Sequence, residues 1–408
     1  MNLIIKKVSL RESLRGLLVI LILYCYIFNP PFAFLPIGLS KFMYILAFPL
    51  FLLPAVRRMY WNNFSSITMQ LLLYILYTFV IHVVFSSKAS YAQINLFILF
   101  ESFFTAYVIA YFLVRYYKNK ADGYILWTTI LACFITTLLI INPHLNTFVR
   151  DTLLVEARDG LQDVFAFRAF GIADDLLFTY AIALSVGLCI CMQYARRNSV
   201  YYFFIVFFLV AIFFNARVGM VPFMLYVVYV AFVERRFSLF VKLALIIVLP
   251  VVFVLQSNIL EDYKTTVEWI TDGFFEIFNL LSGKQGDKAS TFDNLSMMLI
   301  IPETIGGFLF GTGEDIFLAR KNSDIGYILQ LNYGGIIYVF FFVFIVLGLY
   351  TKLKKYNTNK WFNFVFIGTF LICNIKGYFF YTCSGMRMLM LLFFVYILSK
   401  KMQSISPR

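Results

Sequence analysis

Residues 200–233 read VYYFFIVFFLVAIFFNARVGMVPFMLYVVYVAFV, thirty-four residues with Arg217 as the single charge. One straight helix of that length is about 50 Å long at 1.5 Å per residue, too long for a hydrocarbon core of ~30 Å. Basic pairs stand at both ends, Arg196-Arg197 and Arg235-Arg236. Under the positive-inside rule both ends face the cytoplasm, and a tight hairpin with Arg217 at its outer tip satisfies length and charge together.

The same reading extends over the chain. Of 408 residues, 62% are apolar, 20% aromatic and only 13% charged, with 50 Phe and 27 Tyr. Soluble domains carry roughly 25% charged and 45–50% apolar residues. A water-soluble enzyme, a secreted disulfide scaffold and a disordered chain are thereby excluded, leaving an all-α integral membrane protein. Apolar runs fall at about 16–29, 37–56, 65–85, 93–114, 124–141, 175–193, 200–215, 218–233, 238–256, 323–350, 361–380 and 384–399, which makes about 12 transmembrane helices in one polytopic domain, 1–408. Lys6, Lys7, Arg11 and Arg15 precede the first run. Asn29-Pro30-Pro31-Phe32 follows it without a small-x-small cleavage site, so the first span is read as uncleaved.

Charge fixes the orientation. With both termini cytoplasmic, 21 of the 34 basic residues lie in inner segments and 17 of the 21 acidic residues lie outside. The net charge of +13 is thus a loop pattern and predicts no nucleic-acid partner. The six cysteines (Cys25, Cys133, Cys189, Cys191, Cys373, Cys383) sit mostly within apolar runs, and His82 and His144 are far apart, so no metal site is expected.

Two outer loops are large. The first, 142–174, mixes Arg150, Arg158 and Arg168 with acidic residues. In the second, 257–322, apolar residues from Leu260 to Leu281 recur at spacings of three and four, which predicts an amphipathic helix over 260–281 lying along the outer membrane face or capping a cavity. No internal repeat links the two halves of the chain, which weighs against a transporter of repeated bundles.

Basic residues at the outer side run against the positive-inside bias. Five lie beside or inside spans: Arg168, Arg217, Arg320, Lys376 and Arg387. An ionisable group at that depth costs several kcal/mol unless paired or hydrated, and arginine holds phosphate bidentately. The plain alternative is snorkelling to the headgroups. Asp324, in Asn322-Ser323-Asp324-Ile325-Gly326-Tyr327, is placed to accept a hydrogen bond from a sugar hydroxyl, or else it or Ser323 caps a helix. Glu101 lies within a span, in a structural pair or a hydrated cavity. The many Phe and Tyr side chains are read as lipid-facing surface and interfacial belts.

Several motifs together resemble a known family. Leu309-Phe310-Gly311-Thr312-Gly313, Ser323-Asp324-Ile325-Gly326-Tyr327-Ile328 and Tyr333-Gly334-Gly335-Ile336-Ile337 look like the bacterial O-antigen and capsule polymerases of the Wzy type. So do Asn215-Ala216-Arg217-Val218-Gly219 and Arg168-Ala169-Phe170-Gly171. The related ligases carry a histidine in the second large loop, and this chain has none after His144. The resemblance implies a GT-C-like fold in the bacterial inner membrane and a metal-independent, cofactor-free glycosyltransferase facing the periplasm. It would move a growing glycan from undecaprenyl pyrophosphate onto the non-reducing end of another lipid-linked repeat unit, inverting the anomeric carbon. Its partners would be undecaprenyl-pyrophosphate-linked oligosaccharides, membrane lipids and a chain-length regulator protein. Arg217, helped by Arg168, Arg320, Lys376 and Arg387, would hold the pyrophosphate. Asp324 would serve the acceptor hydroxyl, with Glu314 in reserve. The main rival is a flippase or transporter of lipid-linked oligosaccharides, which needs similar cationic groups but places charges along a path through the bilayer.

Overall fold

The computed structural model describes residues 10–35, 38–87, 91–153, 170–175, 178–236, 297–317, 323–357 and 359–405. Among these residues the regular structure is helical throughout. The principal helices are α1 (Leu10–Phe28), α2 (Leu39–Leu52), α3 (Pro54–Val84), α4 (Tyr91–Phe97), α5 (Ala106–Tyr117), α6 (Ala121–Ile141) and α7 (Pro143–Phe148). They continue with α8 (Phe178–Ala195), α9 (Tyr201–Asn215), α10 (Val221–Val228), α11 (Ile305–Phe310), α12 (Gly326–Tyr356), α13 (Lys360–Lys376) and α14 (Ser384–Ile405). Among the described residues, four helical stretches are long and apolar enough to cross a membrane: Pro54–Val84, Tyr91–Ile141, Phe178–Ala195 and Gly326–Tyr356. The amphipathic helix expected over 260–281, the run at 238–256, Arg168 and Arg320 lie outside the described residues. Of the large loops, 142–153, 170–174 and 297–317 are described.

The chain reverses at the expected place, its two arms packing chiefly on α8 rather than on each other. Ala216 is extended (φ −159°, ψ 125°) and Arg217–Met220 makes a single 3₁₀ turn between α9 and α10. At the far end Arg196, before the hairpin, meets Glu234, after it, at 2.9 Å, so the two arms start and finish at one level. The 51-residue stretch Tyr91–Ile141 folds back likewise. Lys118 leaves the helical region (φ 47°, ψ −121°), and the rings of Tyr117 and Tyr124 come to 4.4 Å, whereas seven residues along one helix span roughly 10 Å.

Helix α14 is the axis of the bundle. Every residue from Met386 to Leu398 is at most 8% exposed, as suits a helix apolar all round. It packs on α5, α8 and α12. The expectation that the aromatic side chains mainly face lipid needs correction. Tyr26, Tyr60, Tyr74, Tyr107, Tyr180, Tyr226, Tyr333 and Tyr338 are fully buried. The interior accepts them because each ring fills a core position while its hydroxyl finds a partner, as Tyr107 does on the Val56 carbonyl at 2.9 Å and Tyr26 on that of Glu101 at 3.0 Å.

Helix α12, expected as one span, is broken at Gly335 (φ 71°, ψ −174°). A break strands carbonyls that an intact helix would satisfy, and here each finds a donor. The amides of Thr312 and Gly313 bond the carbonyls of Asn332 (2.7 Å) and Tyr333 (3.0 Å), and the Tyr77 hydroxyl bonds that of Gly334 (2.7 Å). Two of the motifs, 309–313 and 333–337, therefore lie backbone against backbone. A Cβ on Gly335 would stand 2.2 Å from the Leu309 carbonyl oxygen.

Candidate functional site

Chain direction and side-chain contacts bring one set of helix ends together. Helices α10 and α13 run antiparallel, and Leu225 packs on Gly368. Arg217 and Lys376 each lie eight residues beyond that contact toward the same end, so they stand at one level on neighbouring elements. The first turn of α8 lies beside both. Gly219, two residues after Arg217, abuts Ala181, where a Cβ would come within 2.2 Å. Gly377, next to Lys376, abuts the Phe178 ring, at 3.0 Å from its would-be Cβ.

At this junction the Lys376 ammonium donates to Asp324 Oδ2 at 2.9 Å, both side chains partly exposed. The helix-capping alternative for Ser323 and Asp324 does not hold. The residue before α12 is Ile325, and no side-chain cap bond forms. Lys376 and Asp324, assigned separately to pyrophosphate and acceptor, are thus one unit. Among the described residues, Asp324 Oδ1 and the hydroxyls of Ser323, Thr179 and Ser384 are buried and meet no hydrogen-bond partner. These four atoms come from the entries of α12, α8 and α14, three segments that meet here. Leaving a buried polar atom unsatisfied costs about 1–3 kcal/mol, so each of these atoms is suited to a hydrogen bond with bound water.

Beneath lies an aromatic and amide layer that sequence reasoning missed. Tyr74 and Tyr338 stack with centroids 4.6 Å apart and planes within 2°. Asn95 donates to the Tyr338 hydroxyl at 2.8 Å and accepts from Tyr378 at 3.3 Å. Asn374 donates to Gln330 at 3.0 Å. Polar amides inside otherwise apolar runs were the available signal. Burial pushes the phenols of Tyr378 and Tyr381, in the 377–383 connection, well above the usual tyrosine range. They remain protonated donors, and Tyr381 gives its hydrogen bond to Asp175.

Arg387 differs from the other cations. It is 1% exposed, donates through one terminal nitrogen to both oxygens of Asp174 (2.7 and 2.8 Å), and through Nε to the Ile27 carbonyl at 3.0 Å. Asn29 adds a bond to Asp174 at 2.8 Å. This clamp ties α14, the end of α1 and the 170–175 segment together, and it buries the guanidinium too deeply to meet a ligand in this arrangement. Asn215, two residues before Arg217, bonds the Phe170 carbonyl at 2.9 Å, so the same segment links the clamp to the Arg217 turn. Glu314 is exposed. Ile316, two residues on, packs with Ile325, Ile328 and Tyr378, which puts Glu314 at the same end of the bundle as Asp324. Glu101 is buried within a π-helical segment, Ile98–Thr105.

Among the described residues, no group of three His, Cys, Asp or Glu side chains is placed to hold a metal ion. No family model, no curated protein and no solved structure matches the chain.

Proposed function

We propose that this protein is an O-antigen or capsule polymerase that joins undecaprenyl-pyrophosphate-linked oligosaccharide units at the periplasmic face of the bacterial inner membrane. The observation that carries the reading is the Lys376–Asp324 pair at the level of Arg217, beside the buried hydroxyls of Ser323, Thr179 and Ser384. In this mechanism Arg217 binds the donor's pyrophosphate. The acceptor hydroxyl attacks the anomeric carbon, the bond from that carbon to the pyrophosphate oxygen breaks, and undecaprenyl pyrophosphate departs with the electron pair. Arg217 stabilises the charge growing on it. Asp324 Oδ1 accepts the hydroxyl's hydrogen bond and then its proton, while Lys376 holds the other carboxylate oxygen and fixes its aim. Ser323, Thr179 and Ser384, fully buried behind Asp324, shape its surroundings and do not reach the sugar. Glu314 is the reserve group for the acceptor. Arg387 keeps a supporting place, holding the segment on which Arg217's turn rests, and Arg168 and Arg320 are further candidates for the pyrophosphate.

Purified protein in vesicles, supplied with lipid-linked repeat units, tests the reading. A polymerase gives a ladder of products, and Asp324→Asn shortens or abolishes it while the protein keeps its elution and unfolding midpoint. Units that change leaflet without lengthening would show the rival flippase instead.

A further inference from the structure

At the opposite end of the bundle α1, α2 and α5 leave an apolar groove of about 350 Å³ between them. Val19 and Leu23 line it from α1, Ala47 and Leu50 from α2, and Val108 and Tyr117 from α5. The three helices are in register: Val19, Leu50 and Tyr117 mark one end, and Leu23 and Val108 lie toward the other. From Val108 to Tyr117 the groove runs roughly 14 Å, half of a ~30 Å hydrocarbon core and so the depth of one leaflet. Its walls offer almost nothing polar, which suits a hydrocarbon chain.

The mouth has a different character. Arg15 lies one turn from Val19 on α1, and Arg115, Lys118 and Lys120 bracket Tyr117. Arg57 and Arg58 open α3 just beyond Leu50. All six are exposed. Two acidic side chains face the same region, Glu12 on α1 and Asp122 on α6, and Asp122 accepts from Tyr194 at 3.0 Å. Six cations around the open end of a one-leaflet apolar slot form an amphipathic site whose two halves match one molecule.

We propose that this groove holds an acyl chain of an anionic glycerophospholipid whose headgroup phosphate sits among Arg15, Arg115, Lys118 and Lys120. Basic clusters at the membrane surface contribute about 1 kcal/mol per side chain toward anionic lipid, so each neutralised charge weakens binding about fivefold. The site stands apart from the reaction proposed above, and its test needs no activity. The full chain in neutral detergent is titrated with dioleoyl phosphatidylglycerol or dioleoyl phosphatidylcholine, and bound lipid is counted by native mass spectrometry. Phosphatidylglycerol should be retained at about 25-fold lower concentration than phosphatidylcholine. Lys118→Gln with Lys120→Gln should erase that preference without changing phosphatidylcholine binding. Leu46→Trp, at a groove position that is half exposed and tolerant of volume, should displace both lipids while the unfolding midpoint holds. Equal retention of the two lipids, or retention indifferent to Leu46→Trp, overturns the proposal.

Discussion

At the scale of single residues, two ion pairs at the same end of the bundle have opposite consequences. The Lys376 and Asp324 side chains are 44% and 35% exposed, and an ion pair open to water contributes at most ~1 kcal/mol. Lys376→Met should therefore leave the thermal midpoint nearly unmoved while lowering polymerisation by at least tenfold in the vesicle assay, because it releases Asp324's aim. Arg387 is buried against Asp174, and removing one member of a buried pair leaves an uncompensated charge that costs about 3–5 kcal/mol. Asp174→Asn and Arg387→Met should both lower the midpoint sharply, and the double variant should recover part of the loss. Sequence reading singled out Lys376, Asp324 and Arg387 because charges beside apolar runs are expensive. It did not show which carboxylate each cation meets. The partners lie 52 and 213 residues away, and no local pattern encodes such distances.

At the scale of elements, the hairpin was legible because its length, apolar content and flanking charges admit one solution. The break at Gly335 was not. Glycine is frequent in membrane helices, and only the contact with 309–313 shows that this one has left the helical region. Gly335→Ala places a Cβ against the Leu309 carbonyl at a φ of 71° and should cost several kcal/mol or block folding, read from the unfolding midpoint. Gly306→Ala, in the neighbouring helix α11, meets nothing within 4 Å and should be neutral or stabilising by up to ~1 kcal/mol. The 377–383 connection adds a pH dependence. Tyr378 and Tyr381 are raised when folded above the ordinary value of 10.0. Their contribution is complete below that value and is lost as pH rises past it, since the unfolded chain then gives up protons the folded one keeps. The midpoint should fall above about pH 10, and less steeply in Tyr381→Phe.

At the scale of the molecule, lipid tails and a protein interior are equally apolar. Composition therefore announced a membrane bundle but could not tell a lipid-facing ring from a core ring. The tyrosines beneath the Lys376–Asp324 pair were misplaced for that reason. Their arrangement decides the architecture: α14 forms a buried axis, the helix ends carrying Arg217, Asp324 and Lys376 converge on the first turn of α8, and the opposite end gathers the basic loops. The central claim is that this convergence is where lipid-linked glycans are joined. The most direct measurement is the product ladder from vesicles containing purified protein and undecaprenyl-pyrophosphate-linked repeat units, wild type beside Arg217→Ala. The account predicts a ladder for the wild type and single units only for a variant that retains its fold. A folded Arg217→Ala protein that still builds the full ladder would contradict it.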